Sequence, residues 1–426
     1  MLDPLAGRRA RIETAWSLDR AVVLVGSGRP IPVPGGADRV HPFQVHPDYR
    51  WLTERRMEGG VLAFDPRSGW TLFEPEATEA ERLWEGRTDV PSGRPLAELD
   101  AWIDARSDRP LACLGAGPWG ERPITGDAEL ERRLATLLLH ARRPKDEREV
   151  RAIRSAADAT AAGFARALDV VEPGVSERHV QIEIETAMFH AGAQTTAYGT
   201  IVGSGPNSAV LHATPSGRTI GQRDLVLIDA GAAIDGYCAD VTRTLTAAGT
   251  PSAEQRVLLE TVERAQQAAI ACCRAGTEWR AVHQAAALVI AEGLVEAGLL
   301  KGRGEDRLDD GAIALFFPHG VGHMVGMGVR DAGGPLPGRD GLAPCCGVRL
   351  RVDLPLEAGY VMTVEPGAYI VPALLRDAAR RKRHADVVNW SEADRWTSLG
   401  VGGVRIEDNI LVTDGAPEVL TASIPH

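Results

Sequence analysis

The segment Leu225-Val226-Leu227-Ile228-Asp229-Ala230-Gly231 is an apolar run interrupted by a single acid. After Ile234 come Asp235-Gly236, the strongest short-range hairpin signal, and then a second run from Tyr237 to Leu245. With Asp235-Gly236 as a two-residue loop, Ile234 faces Tyr237 and Asp240 falls opposite Gly231. Asp229 and Asp240 then project from one face of the pleat, as diagonal neighbours roughly 7 Å apart at the backbone. Two carboxylates on an apolar hairpin repel each other, and burial disfavours the charge on each. Either something cationic lies between them, or each acid caps a turn or pairs with a nearby arginine such as Arg243. Further ligands elsewhere in the chain decide between these readings.

Such ligands occur downstream. Pro318-His319-Gly320-Val321-Gly322-His323 sets two imidazoles four residues apart in a glycine-rich turn that permits close backbone approach. Val361-Met362-Thr363-Val364-Glu365-Pro366-Gly367 reads as a buried strand ending on an acid at a Pro-Gly turn. In Val404-Arg405-Ile406-Glu407-Asp408-Asn409-Ile410 the apolar Val404, Ile406 and Ile410 share one face, and Arg405, Glu407 and Asn409 the other. Each acid alone would read as a solvated strand end. The ordered set Asp229, Asp240, His323, Glu365, Glu407 reads differently, because the charge of its carboxylates is close to that of two divalent cations. Oxygen-rich ligation with one imidazole suits manganese, cobalt or zinc rather than a thiolate site. A pair of such ions ~3.5–4 Å apart deprotonates a water and polarises a carbonyl, which is the chemistry of amide hydrolysis.

The rest of the 426-residue chain fits an ordinary globular protein, 44% hydrophobic and 25% charged. Its net charge of −11 argues against a nucleic-acid or membrane-surface partner. No run approaches the ~18 apolar residues of a membrane helix, the N-terminus is a poor signal peptide, and six cysteines without CxxC spacing suit a cytoplasmic location. Before residue 140, short strand-like runs (Ala21–Gly26, Gly60–Asp65, Leu111–Gly115) alternate with helical patches around Thr78–Trp84 and Asp127–His140. After the charged break Arg142-Arg143-Pro144-Lys145, Asp146 with Glu149 reads as a capping box opening a helix that ends before Pro173-Gly174. Further helices are expected over Ser176–His190, Ser252–Cys273 (capped with Gln255) and Thr277–Leu299. Gly115-Ala116-Gly117-Pro118-Trp119-Gly120 fits GxGxxG, but Glu121-Arg122-Pro123 follows where a helix should begin, so a dinucleotide loop is not expected.

The ordered ligands and their neighbours resemble the pita-bread metallopeptidases: methionine aminopeptidases, Xaa-Pro aminopeptidases, prolidases and the metal-free creatinases. The matching motifs are Leu211-His212, Leu227-Ile228-Asp229-Ala230-Gly231, His319-Gly320, Thr363-Val364-Glu365-Pro366-Gly367 and Gly403-Val404-Arg405-Ile406-Glu407-Asp408. The resemblance implies an α+β fold: a pita-bread catalytic domain over residues 144–426 and a smaller α/β creatinase/prolidase-type domain over 1–143. It makes Asp229 a ligand of one metal, Asp240 and Glu407 bridges, and His323 and Glu365 ligands of one metal each. Glu365 would also pass on the proton of the attacking water, while His212 and His319 donate to substrate and tetrahedral intermediate. The cofactor implied is a pair of divalent ions, manganese first, with zinc or cobalt as alternatives. Family precedent implies a homodimer in which a partner's N-terminal domain closes the pocket through Trp51 or Trp84.

Within the family, two features point to prolidase, which cleaves before a C-terminal proline. The insert between Glu365 and Arg405 carries Tyr369-Ile370-Val371-Pro372-Ala373-Leu374-Leu375 and Asn389-Trp390, and Arg351 falls where prolidases place the arginine that clamps the dipeptide carboxylate. Otherwise Arg351 pairs with Asp353 or Glu357. Arg330 stands where the family has a histidine, and together with Arg351, Arg405 and His212 it completes the expected substrate-binding set. An arginine there can donate but not shuttle a proton, so it either adds a carboxylate contact or weakens the peptidase. The alternatives are an Xaa-Pro aminopeptidase acting on longer peptides, and a binding module, which would have damaged ligands. None of the five is damaged.

Overall fold

The computed structural model describes residues 4–425 apart from 37–38, 88–91, 120–122, 248–249, 337 and 340–343. The chain divides into two compact units, Met1–Arg142 and Arg143–His426.

The first unit is built on a mixed five-stranded sheet in the spatial order 94–95, 69–74, 61–65, 22–27, 111–116. Val22–Ser27 runs antiparallel to Val61–Asp65 and parallel to Leu111–Ala116. It is buried along its whole length, which is why it opens on the unbroken apolar run Val22-Val23-Leu24-Val25 rather than alternating. Trp51, expected to reach a partner, is 0% exposed and packs beneath the Arg8 and Arg11 guanidiniums, so it cannot serve there; Trp84 is 82% exposed. Among the described residues, the next helix after the strand Leu111–Ala116 starts at Ala128, capped by Asp127. The last position of the GxGxxG pattern, Gly120, lies outside the described residues.

The second unit has two cores, each joining a helix pair to sheet. Glu147–Val170 and Glu177–His190 pack together and cover the antiparallel strands Ile201–Ser204, Leu225–Ala230 and Val241–Thr246. Ala253–Cys272 and Trp279–Glu296 pack together over Val361–Val364 and Gly403–Arg405. Both halves of the Asp146/Glu149 capping box form, as do those of Ser252/Gln255, so these helices start where local chemistry satisfies their first free N–H groups.

The hairpin keeps a single register. Ile234 pairs with Tyr237, Ala230 with Val241 and Asp229 with Thr242, and the Ala239 N–H donates to the Ala232 carbonyl between them. At Gly231 a Cβ would stand 2.0 Å from the Ala239 carbonyl oxygen, so only glycine allows the strands to approach here. A β-bridge between Thr242 and Glu407 joins the two sheet systems, and the acids converge at that seam.

Candidate active site

Backbone pairing sets the cluster. The Glu365 N–H donates to the Val321 carbonyl and the Thr363 N–H to the His323 carbonyl, which places His323 beside Glu365. The Asn409 side chain clamps the backbone of Asp240, accepting from its N–H at 3.0 Å and donating to its carbonyl at 2.6 Å. Ligand atoms of Asp240, His323 and Glu407, all buried, lie within 4.8 Å of one another. His323 Nε2 is 3.4 Å from Asp240 Oδ2 and 3.8 Å from Glu365 Oε1.

Asp229 is held separately. Tyr198 Oη donates to its Oδ1 at 2.5 Å and Arg405 Nη2 to its Oδ2 at 2.5 Å. Arg405 also donates from Nε to Thr242 Oγ1 (3.1 Å) and from Nη1 to Tyr369 Oη (3.0 Å). Thr242 in turn donates to Glu407 Oε2 at 2.7 Å. Arg405, expected to bind substrate, thus commits three donors to the wall and is 3% exposed: its observed contacts position Asp229. Arg243, the nearby candidate partner for Asp229, instead pairs with Asp408 at 2.9 Å.

His319 has a readable tautomer. Its Nδ1 lies 2.9 Å from the Gly320 carbonyl, which can only accept, so Nδ1 carries the proton. Burial, together with Arg405, pushes its pKa down to about 3, so the ring is neutral and Nε2 is bare. Tyr369 Oη, 2.9 Å away, therefore donates to it. Both ring nitrogens are thus used inside the protein, and the expected donation from His319 to substrate has no free proton behind it in this arrangement.

The donor set fits divalent cations. Burial raises the proton affinities of Asp229, Glu365 and Glu407, and in Glu407 the neighbouring Asp240, Glu365 and Asp229 push the same way. Arg405 is the counter-charge that acts on all three, which leaves the acids undercompensated. His323 Nδ1 donates to the Met324 carbonyl at 3.0 Å, so Nε2 is the nitrogen left to coordinate. The 3.4 Å from Nε2 to Asp240 Oδ2 matches the edge of a coordination polyhedron with bonds of about 2.1 Å.

The cluster opens into a cavity of about 800 Å³ lined also by His212, Arg330, Arg349 and Arg351. Burial, then Arg330, lowers the His212 pKa and keeps that ring neutral. Arg330, Arg349 and Arg351 are exposed and make no ion pair among the described residues. Asp353, the alternative partner of Arg351, is taken by Arg339 at 3.0 Å. Sequence reasoning missed Tyr198, Thr242 and Tyr369. Thr242 was readable, since the hairpin register sets it opposite Asp229; Tyr198 comes from a loop with no periodic signal.

Residues 151–414 match the metallopeptidase family M24. The chain is 32% identical to a probable Xaa-Pro aminopeptidase of Aspergillus fumigatus over 93% of its length and 87% of the relative's. It is 31% identical to an Xaa-Pro dipeptidase of Stenotrophomonas maltophilia, over 90% of this chain and 88% of that one. Among solved structures, aminopeptidase PepP of Pseudomonas aeruginosa superposes with a TM-score of 0.77 at 28% identity, covering 99% of this chain and 96% of that one. Escherichia coli aminopeptidase P with the inhibitor Pro-Leu gives 0.78 at 25% identity, covering 99% and 95%. The fold is thus the α+β pita-bread arrangement of aminopeptidase P.

Proposed function

The chain belongs to metallopeptidase family M24, and from that premise we propose that it is a prolidase, cleaving Xaa-Pro dipeptides ahead of the C-terminal proline. Asp229, Asp240, His323, Glu365 and Glu407 would hold two divalent ions, manganese first, with zinc or cobalt as alternatives. When bound, such ions supply Lewis acidity to a water and to the scissile carbonyl. Glu365, whose proton affinity burial raises, takes the proton of the attacking water on a carboxylate oxygen and passes it to the proline nitrogen as the C–N bond breaks. Neutral His212, on the cavity wall, donates to the substrate. Tyr369 holds His319 from the other side, and Arg405 fixes the Asp229 carboxylate.

The observation that carries the dipeptidase reading is Arg351, which lies on the cavity wall and makes no ion pair among the described residues. A guanidinium there clamps a carboxylate two-handed and limits how far a peptide extends beyond the scissile bond. Arg330 supplies a second cation beside it. The test is a panel of Xaa-Pro, Xaa-Pro-Yaa and non-proline dipeptides. Higher kcat/KM for Xaa-Pro dipeptides, lost in Arg351→Ala, is expected; preference for tripeptides by the parent would transfer the assignment to an aminopeptidase. That second reading draws support from the names of the fungal relatives and the aminopeptidase P structures. A cytoplasmic homodimer completes the reading, and the six cysteines, all free, support a reducing compartment.

A further inference from the structure

Outside the catalytic cavity, three soft donors meet where the second unit's larger core reaches the surface. Cys345 and Cys346 are consecutive, and their Sγ atoms are 3.9 Å apart as free thiols. His283, on the helix Trp279–Glu296, is 1% exposed, yet neither ring nitrogen has a hydrogen-bond partner among the described residues. The Cys345 backbone approaches the ring without reaching hydrogen-bond geometry. One donor atom from each of the three residues lies within 4.8 Å of the others. A buried imidazole with both nitrogens idle is an unfavourable arrangement unless a ligand occupies one of them.

We propose that His283, Cys345 and Cys346 form a binding site for a thiophilic metal ion of the zinc class, separate from the carboxylate cluster. Two sulfurs bonded at about 2.3 Å to a tetrahedral ion stand about 3.8 Å apart, close to the 3.9 Å observed. Two thiolates and an imidazole select a soft ion, where the catalytic cluster's carboxylates select harder ones. Cys346 lines a cleft of about 640 Å³, through which an ion would reach the three donors. Bound there, the ion would fasten the segment leading to Arg349 and Arg351 onto the helix Trp279–Glu296. It would also fix His283, whose ring packs on Phe317 at 5.2 Å, itself edge-on to His319 at 4.9 Å.

Cadmium is the probe, because its thiolate charge-transfer absorption is not produced by carboxylates or imidazole. The full chain, first saturated with manganese, is titrated with Cd²⁺. One equivalent should develop the thiolate band and protect two cysteines from a thiol reagent. Cys346→Ser should lose most of the band, and His283→Ala should weaken Cd²⁺ binding on the order of 10–100-fold. Cys272→Ser, at the other consecutive pair, should leave the band intact. Absence of the band in the parent, or its survival in Cys346→Ser with loss in Cys272→Ser, would overturn the site. Thiol protection in the parent decides the matter should a variant fail to fold. None of these readouts depends on peptidase turnover.

Discussion

Tyr369 joins two parts of the site through one hydroxyl, accepting from Arg405 Nη1 and donating to His319 Nε2. Tyr369→Phe should free the His319 nitrogen and loosen Arg405 without touching a metal ligand. Steady-state kinetics on an Xaa-Pro dipeptide should show kcat/KM reduced about tenfold, the equivalent of ~1.4 kcal/mol, with metal stoichiometry unchanged; loss of metal would place Tyr369 in the metal shell instead. Arg330 stands where the family has histidine, and it makes no ion pair among the described residues. Arg330→His should raise KM for Xaa-Pro dipeptides about tenfold, as expected for one charge-assisted contact, and narrow the gap to tripeptides. Equal kinetics in variant and parent would leave Arg330 without a role in recognition. The sequence carried the acids and His323 as motifs, but not their internal partners. Arg405 reaches Asp229 across 176 residues, a distance that no local pattern encodes. Arg243 could have been excluded: it adjoins Thr242, so it lies on the opposite face of the strand from Asp229 and Asp240.

At the scale of elements, Glu177 organises the loop that carries His212. Its Oε1 accepts from the Ser204 backbone and hydroxyl and from the Asn207 amide, and its Oε2 from the Ser216 backbone and hydroxyl. Burial alone would raise its pKa, but these donors prevail and lower it. A depressed carboxylate contributes stability above its unfolded pKa and loses it as pH falls through the folded one. Glu177→Gln should therefore cost about 1–3 kcal/mol in urea denaturation near neutral pH, and the difference from the parent should shrink near about pH 4. A constant difference across that range would assign the cost to packing alone. The helix starts at Asp146 and Ser252 and the register of the Asp229 hairpin were legible because side chain and backbone partners lie within a few residues. The seam that brings Glu407 to Thr242 was not, since it depends on packing between distant sheets.

For the molecule as a whole, buried acids near one another make the metal-free fold sensitive to pH. Asp229, Glu365 and Glu407 hold their protons more tightly in the fold than free carboxylates do. The metal-free protein should therefore lose stability as pH rises from the ordinary carboxylate range through those raised values, and a bound cation removes that penalty. The rise in Tm produced by Mn²⁺ should accordingly be larger at about pH 8 than at about pH 5.5; an equal rise at both would separate these acids from metal binding. Metal dependence is tested by hydrolysis of an Xaa-Pro dipeptide by protein stripped with a chelator and then given back Mn²⁺. Hydrolysis should vanish on stripping and return with the metal. Turnover that persists in fully chelated protein would contradict the account.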